Sequence, residues 1–299
     1  MITSYKAEFP SYNLRRKDAP AGSLARFPGA PVEVAGHADW RITSLDFGRR
    51  RDVLDFVNSD MAPTPGADGL EWESDVIVGG TTTLAAVVSS DPHLRITTPA
   101  TDTQGIQFQG SVGGRTLYDP SVLEEFFMYA RIRFADASDN AATISQMRFG
   151  MGFAPVDTTI FTAVDDALAL HKADGSSLLR LVSDDDSVDL ASYTQQATVQ
   201  DLSVGSRSGG VAANIWLGIG IHAVVGSQSN NAGILHAYYD VHRASSVQRR
   251  DPTHKVSMEM VEVPDQALAP FIAFAAGEAV AKQLHISKIV LGAKYRLGV

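Results

Sequence analysis

Two carboxylates on one strand could flank a glycosidic bond, one as acid and one as nucleophile, and Glu259 with Glu262 is the nearest such pair in this sequence. Their spacing of three puts them on opposite faces of a strand, so solvated surface charge is the expected reading. Asp184-Asp185-Asp186, followed by Asp189, supplies the clustered oxygens that a calcium ion favours. Adjacent side chains cannot all point at one ion, and an acidic turn between strands accounts for them; Asp165-Asp166 reads the same way. Of the eight histidines, His222, His236 and His242 fall on strands expected to be neighbours, which raises a metal site. His236 and His242 share a strand face but stand roughly 20 Å apart by strand rise. One ion cannot bridge them, and cross-strand packing on a polar face is expected. A phosphate loop, a dinucleotide fingerprint, a nucleophile elbow and a metalloprotease helix are absent, and Val112-Gly113-Gly114-Arg115 reads as a turn. The residues therefore point to no catalytic group, no metal and no cofactor.

Composition narrows the partners. The chain has 299 residues, 44% hydrophobic and 20% charged, enough for one large β domain or two modest ones with a core that needs no covalent staples. With no cysteine, a disulfide scaffold, a thiolate zinc site and a cysteine nucleophile are excluded together. A net charge of −9 argues against nucleic acid, whose phosphates call for clustered Lys and Arg. Two short basic knots do occur, Arg15-Arg16-Lys17 and Arg49-Arg50-Arg51. They read either as solvated turns or as contacts to an acidic partner surface, and they are the candidate partner-binding residues. The first residues lack an apolar signal region, and no stretch approaches the roughly 18 apolar residues of a membrane span. A soluble protein with no export signal and no membrane partner is the expectation.

The elements that would position these residues are strands. Residues 1–70 hold Pro10, Pro20, Pro28, Pro31, Pro63 and Pro65 with little periodicity beyond a stretch from Trp40 to Val57, and read as an extended arm. From 71 to 299, short strand-like runs alternate with turn residues, as in a sandwich or barrel. In Phe126–Phe134, the residues Phe126, Met128, Ala130, Ile132 and Phe134 share one face, while Arg131 and Arg133 point the other way. Asn214–Val225 is the strongest strand, with Gly218 and Gly220 on its second face, and a hairpin partner follows over Gly233–Arg243. Further strands are expected at Asp75–Val78, Thr82–Val88, Leu94–Thr98, Gly105–Gln109, Thr143–Phe149, Thr158–Phe161, Ala167–Lys172, Leu178–Val182, Ala197–Val204, Val256–Val263, Phe271–Ala275 and Leu284–Leu291. Only Ser121–Phe126 and Arg49–Asn58 hint at a helix, and Ala267–Lys282 leaves helix and strand open.

Five pieces carry a likeness to a known family: Gly69-Leu70-Glu71-Trp72-Glu73, the strand Phe126–Phe134, and Phe149-Gly150-Met151-Gly152-Phe153 running into Asp157-Thr158-Thr159, then Ala167–Val182 with its turn Ala173-Asp174-Gly175-Ser176-Ser177, and the Ile215–Val225 hairpin. Together they resemble the concanavalin-A-like jelly-roll domains of tailed-phage virion proteins. The resemblance implies an all-β, antiparallel jelly-roll sandwich over 71–299 behind the N-terminal arm. The Glu-x-Asp-x-Glu strand of the enzymatic relatives is missing, so it implies no hydrolase. The lectin metal loop also has no counterpart, so sugar-binding residues do not carry over.

The function the resemblance implies is that of a non-enzymatic virion structural protein, assembled in the host cytoplasm. The first form of it is a capsid decoration or cement protein whose arm grips the major capsid protein or sister subunits, as a trimer. The alternative is a tail-associated fibre or receptor-binding module that recognises a host glycan, with Trp216, Tyr238 and Tyr239 the first residues to inspect. A third reading, a glycosidase or lyase on the same scaffold, would rest on Glu259 and Glu262.

Overall fold

Apolar residues recur at every second position along most of this chain, and turn residues interrupt them before a helical face can form. The computed structural model describes residues 40–47, 71–77, 82–88, 92–111, 118–136, 146–156, 160–161, 166–176, 179–183, 198–202, 216–225, 233–242, 254–260 and 263–296. Among them there is no α-helix, and the strands are β1 (Trp40–Asp46), β2 (Glu71–Ile77), β3 (Thr83–Val87), β4 (His93–Thr97), β5 (Gly105–Ser111), β6 (Leu123–Asp136), β7 (Met147–Ala154), β8 (Leu168–Lys172), β9 (Leu179–Ser183), β10 (Thr198–Leu202), β11 (Trp216–Val224), β12 (Ile234–His242), β13 (His254–Glu259), β14 (Ala269–Ala276) and β15 (Lys282–Tyr295).

They form two antiparallel sheets. The larger, of eight strands, runs β13-β12-β11-β6-β15-β4-β3, with β1 laid along β15 beyond the end of β4. The smaller, of seven, runs β10-β9-β8-β7-β14-β5-β2. The chain crosses repeatedly between them: β4 to β5, β5 to β6, β6 to β7, β10 to β11, β13 to β14 and β14 to β15 each change sheet. That winding is the jelly-roll sandwich the sequence resemblance implies. The stretch around Trp40 supplies β1, and Leu45 and Phe47 at its end are buried in the core.

The core lies between the sheets. β6 contributes Phe126, Met128, Ala130, Ile132 and Phe134, the face expected from its alternation, and these meet Phe149, Met151 and Phe153 of β7 and Ile272 and Phe274 of β14. Phe134 stands edge-on to Phe149 with ring centroids 5.2 Å apart, and Phe126 edge-on to Phe153 at 4.8 Å. Both are favoured aromatic geometries.

The outer face of the smaller sheet is sealed by the chain itself. Ile160 and Phe161 sit in a turn, not in the strand expected over Thr158–Phe161, and pack onto Ala169, Val182, Phe271 and Ala273. Buried glutamines clamp this connection: Gln107 Oε1 accepts from the Ile160 amide at 3.1 Å, and Gln109 Nε2 donates to the Pro155 carbonyl at 2.9 Å. A period-two apolar run and an apolar lid look alike when the run is this short. The helix hinted at Ser121–Phe126 is likewise a turn that opens into β6, closed by Asp119 Oδ1 accepting from the amide and hydroxyl of Ser121 at 2.9 and 2.6 Å. Ala267–Lys282 resolves as β14 and the bend after it, while Arg49–Asn58 lies outside the described residues.

Truncating Phe134 should leave a cavity lined by rings, so Phe134→Ala is expected to cost about 3–5 kcal/mol, read from the urea midpoint. Val156→Ala, at a side chain 54% exposed, should stay within about 0.5 kcal/mol.

Candidate functional site

The second face of the larger sheet is built differently. Its residues are the ones that alternate with the core set, and across the middle strands they form a row. Arg133 of β6 pairs in register with His285 of β15, and His285 with Arg95 of β4. On the other side of β6 the register Leu217↔Ile132 continues to Trp216 beside Arg133. One residue pair along, Gly218 and Gly220 of β11 face Arg131 and Tyr129, leaving bare backbone beside the cations.

Side chains lock this row together. The guanidinium carbons of Arg131 and Arg133 lie 4.6 and 5.1 Å from the centroid of the Trp216 ring, within cation–π range. The edge of the indole meets His93 at 5.9 Å, and His93 stacks on His285 at 4.5 Å. Arg133 Nε donates to His285 Nδ1 at 3.1 Å, and its Nη2 lies 2.6 Å from the same atom. A guanidinium can only donate, so Nδ1 must accept and the imidazole proton sits on Nε2, which donates to Gln283 Oε1 at 3.0 Å. Burial, then the neighbouring His93, Arg133 and Arg95, push the His285 imidazole down to about 3. Arg131 Nη1 makes a long 3.4 Å hydrogen bond to Ser287 Oγ. Arg95, Arg131 and Arg133 are all partly exposed, and none pairs with a carboxylate among the described residues.

The other end of the same face gives its lysine carboxylate partners. Glu125 Oε2 lies 2.8 Å from His222 Nε2, and Lys294 Nζ reaches Glu125 at 3.2 Å and Glu124 at 2.9 Å. The His222 hydrogen bond, aided by Lys294 and opposed by burial, holds the Glu125 carboxyl below its ordinary value. His222 and His236 sit directly opposite in the β11–β12 ladder with rings 5.5 Å apart, and His236 Nδ1 lies 2.7 Å from Ser257 Oγ. This is the cross-strand packing expected of them; His242 pairs in register with Trp216, away from both. Between the two ends the Phe127 ring packs against Gly292, where an added Cβ would collide with it.

The other residues singled out in the sequence fall elsewhere. Glu259 is exposed at the end of β13 opposite Ile234, and Glu262 lies outside the described residues. Asp166 is buried before β8 with φ of 61°. Asp165, Asp184, Asp185, Asp186 and Asp189 lie outside the described residues, as do Arg15, Arg16, Lys17, Arg49, Arg50 and Arg51. Among the described residues no three His, Asp or Glu side chains gather as a metal site. Arg95, His93 and His285 were not singled out; the signal for Arg131 and Arg133, their shared non-core face, was present in the alternation of β6.

No family model matches the chain, and no curated protein matches it. Solved structures do. The Ca2+-bound exoplasmic/lumenal domain of VIP36 is 10% identical over 86% of this chain and 90% of that chain, with a TM-score of 0.45. The CBM2 module of the evolved Dit of Lactobacillus casei BL23 phage J-1 is 11% identical over 86% and 96%, with a TM-score of 0.44. The binding domain of botulinum neurotoxin DC is 11% identical over 77% of this chain, with a TM-score of 0.40, and the match spans only 45% of the neurotoxin chain. Likeness at this level concerns strand arrangement and says nothing about a site.

His285 and His171, both pushed down to about 3 with burial as the leading cause, are neutral in the fold at pH values where the unfolded chain protonates them near 6.5. The unfolded state binds more protons in that window, so stability is full above pH 6.5 and falls as the pH drops toward 3. Lys172, whose Nζ donates to the Met147 carbonyl at 2.5 Å, is pushed by burial down to about 7 from 10.5, so stability should also rise from pH 7 toward 10.5. Thermal unfolding across pH 4 to 10 should show both slopes, with His285→Gln flattening the acid one and Lys172→Met the basic one.

Proposed function

We infer that this chain is a non-enzymatic recognition module of a tailed-phage particle, tail-associated, and that it binds a host-surface glycan with the outer face of its larger sheet. The observation that supports this reading is the unequal treatment of the two outer faces. The smaller sheet is covered by its own connection, with Ile160 and Phe161 completing a second apolar cluster. The larger sheet instead holds Arg95, Arg131 and Arg133 partly exposed around a fixed indole, beside a strip of glycine backbone. A face built only for stability would bury apolar groups there; convergent polar groups on an ordered aromatic floor suit a ligand.

The placement in a virion comes from the sequence resemblance. Capsid decoration, a major-capsid-protein partner and trimeric assembly draw on the arm of residues 1–70, and nothing among the described contacts favours them, so the reading moves from the head to the tail.

An array of bacterial capsular and cell-wall polysaccharides probed with the full chain tests it. Saccharide binding is expected, and Trp216→Ala, which frees Arg131 and Arg133 from their ring, should weaken it at least about tenfold while thermal unfolding stays cooperative. An array that stays blank for the folded wild-type protein would sink the glycan reading.

A further inference from the structure

We propose that the cationic end of this face binds an anionic saccharide, a polymer with carboxylate or sulfate groups on its sugar rings, through Arg95, Arg131 and Arg133. The inference rests on the glycan reading and names the ligand class.

The charges at this end are unbalanced among the described residues. In a chain of net charge −9, three guanidiniums share a few strands of one face without a carboxylate partner among the described residues. Two other cations do have carboxylates: Lys294 has Glu124 and Glu125, and the buried Lys282 has Glu278. Arg95 Nε is buried with no hydrogen-bond acceptor among the described residues, so the outer nitrogens of its fork are the ones open to a ligand.

The geometry fits several anionic groups on one polymer better than a single small ion. A guanidinium presents a planar fork of N–H donors that matches the paired oxygens of a carboxylate or sulfate. Arg133 and Arg95 are separated by β15 alone, roughly 10 Å across the sheet, and Arg131 and Arg133 by two residues, roughly 7 Å along it. Stacking on Trp216 and the hydrogen bond to His285 aim two of the three forks in advance. Gly218 raises no side chain next to Arg131 and Gly220 none next to Tyr129, so a sugar ring has backbone to lie on.

Binding of the full chain to polygalacturonate, to dextran sulfate and to neutral dextran, followed by biolayer interferometry at low and raised salt, tests the assignment. At least one anionic polymer is expected to bind, more weakly as salt screens the charges, while neutral dextran does not. Which one binds separates carboxylate from sulfate. Arg131→Gln and Arg133→Gln should each weaken binding about tenfold or more, and Arg131→Lys should keep part of it. Thermal unfolding confirms that each variant folds; if Arg133→Gln does not, Arg131→Gln decides, because that guanidinium makes only the long bond to Ser287 and the Trp216 contact. Neutral glycans that bind while the arginine variants change nothing would overturn the anionic assignment and leave the glycan reading standing. A protein that binds no saccharide of either kind overturns both.

Discussion

The outer face of the larger sheet depends on one pairing, β6 against β15. Both are fourteen-residue strands, and their register sets Glu125 opposite Lys294 at one end and Arg133 opposite His285 at the other. β15 keeps its apolar side chains inward along its length only because the register slips between Ile286 and Lys288. Leu284 and Ile286 are buried before the slip, and Ile289 and Leu291 after it. Without that extra residue, half the strand would turn its apolar set outward and its polar set into the core. The bulge therefore fixes both surfaces at once, and Ser287, at the slip, is the residue that meets Arg131.

The two ends of this strand pair hold cations by different means. At the Glu125 end, Lys294 has two carboxylate partners, which offset its charge within the fold. At the Arg133 end, the acceptor is a neutral imidazole. His285 satisfies the guanidinium's hydrogen bonds and removes none of its charge, and the field of its neighbours together with burial keeps it from taking a proton. Hydrogen-bond satisfaction and charge compensation are separate requirements, and the Arg133–His285 pair supplies an acceptor for Arg133 while leaving its charge open. A structural ion pair would have been the simpler way to bury an arginine, and the same face shows the protein using it a few residues away.

Local alternation made most of the fold legible. β6, β11, the β11–β12 hairpin and the core face of Phe126–Phe134 follow from period-two patterning, which is set by neighbours along the chain. The site is a product of distant pairing: Arg133 and His285 are 152 residues apart, and nothing near either says that they meet. His93 and Arg95 alternate with Leu94 and Ile96 on β4, and His285 stands between Leu284 and Ile286 on β15, as polar residues do on any half-buried strand. One further signal was available. The apolar parity of β15 changes from Leu284 and Ile286 to Ile289 and Leu291, and a change of parity within one strand announces a bulge. Ile160 and Phe161 misled for the opposite reason, since a short apolar run reads as strand whether it joins a sheet or covers one.

Trp216 shows how an aromatic can serve recognition without touching a ligand. An exposed indole would offer its own face to a sugar ring. Here the ring is buried, its surface taken by two guanidiniums and its edge by His93. A free arginine side chain is flexible, and ordering it on binding costs on the order of 1.5–2 kcal/mol of rotamer entropy. Stacking on a fixed ring meets much of that cost when the protein folds, so the forks already stand in place on a rigid sheet. The indole thus passes the contact outward to the arginines, and the recognition chemistry of the face changes from ring stacking to charge.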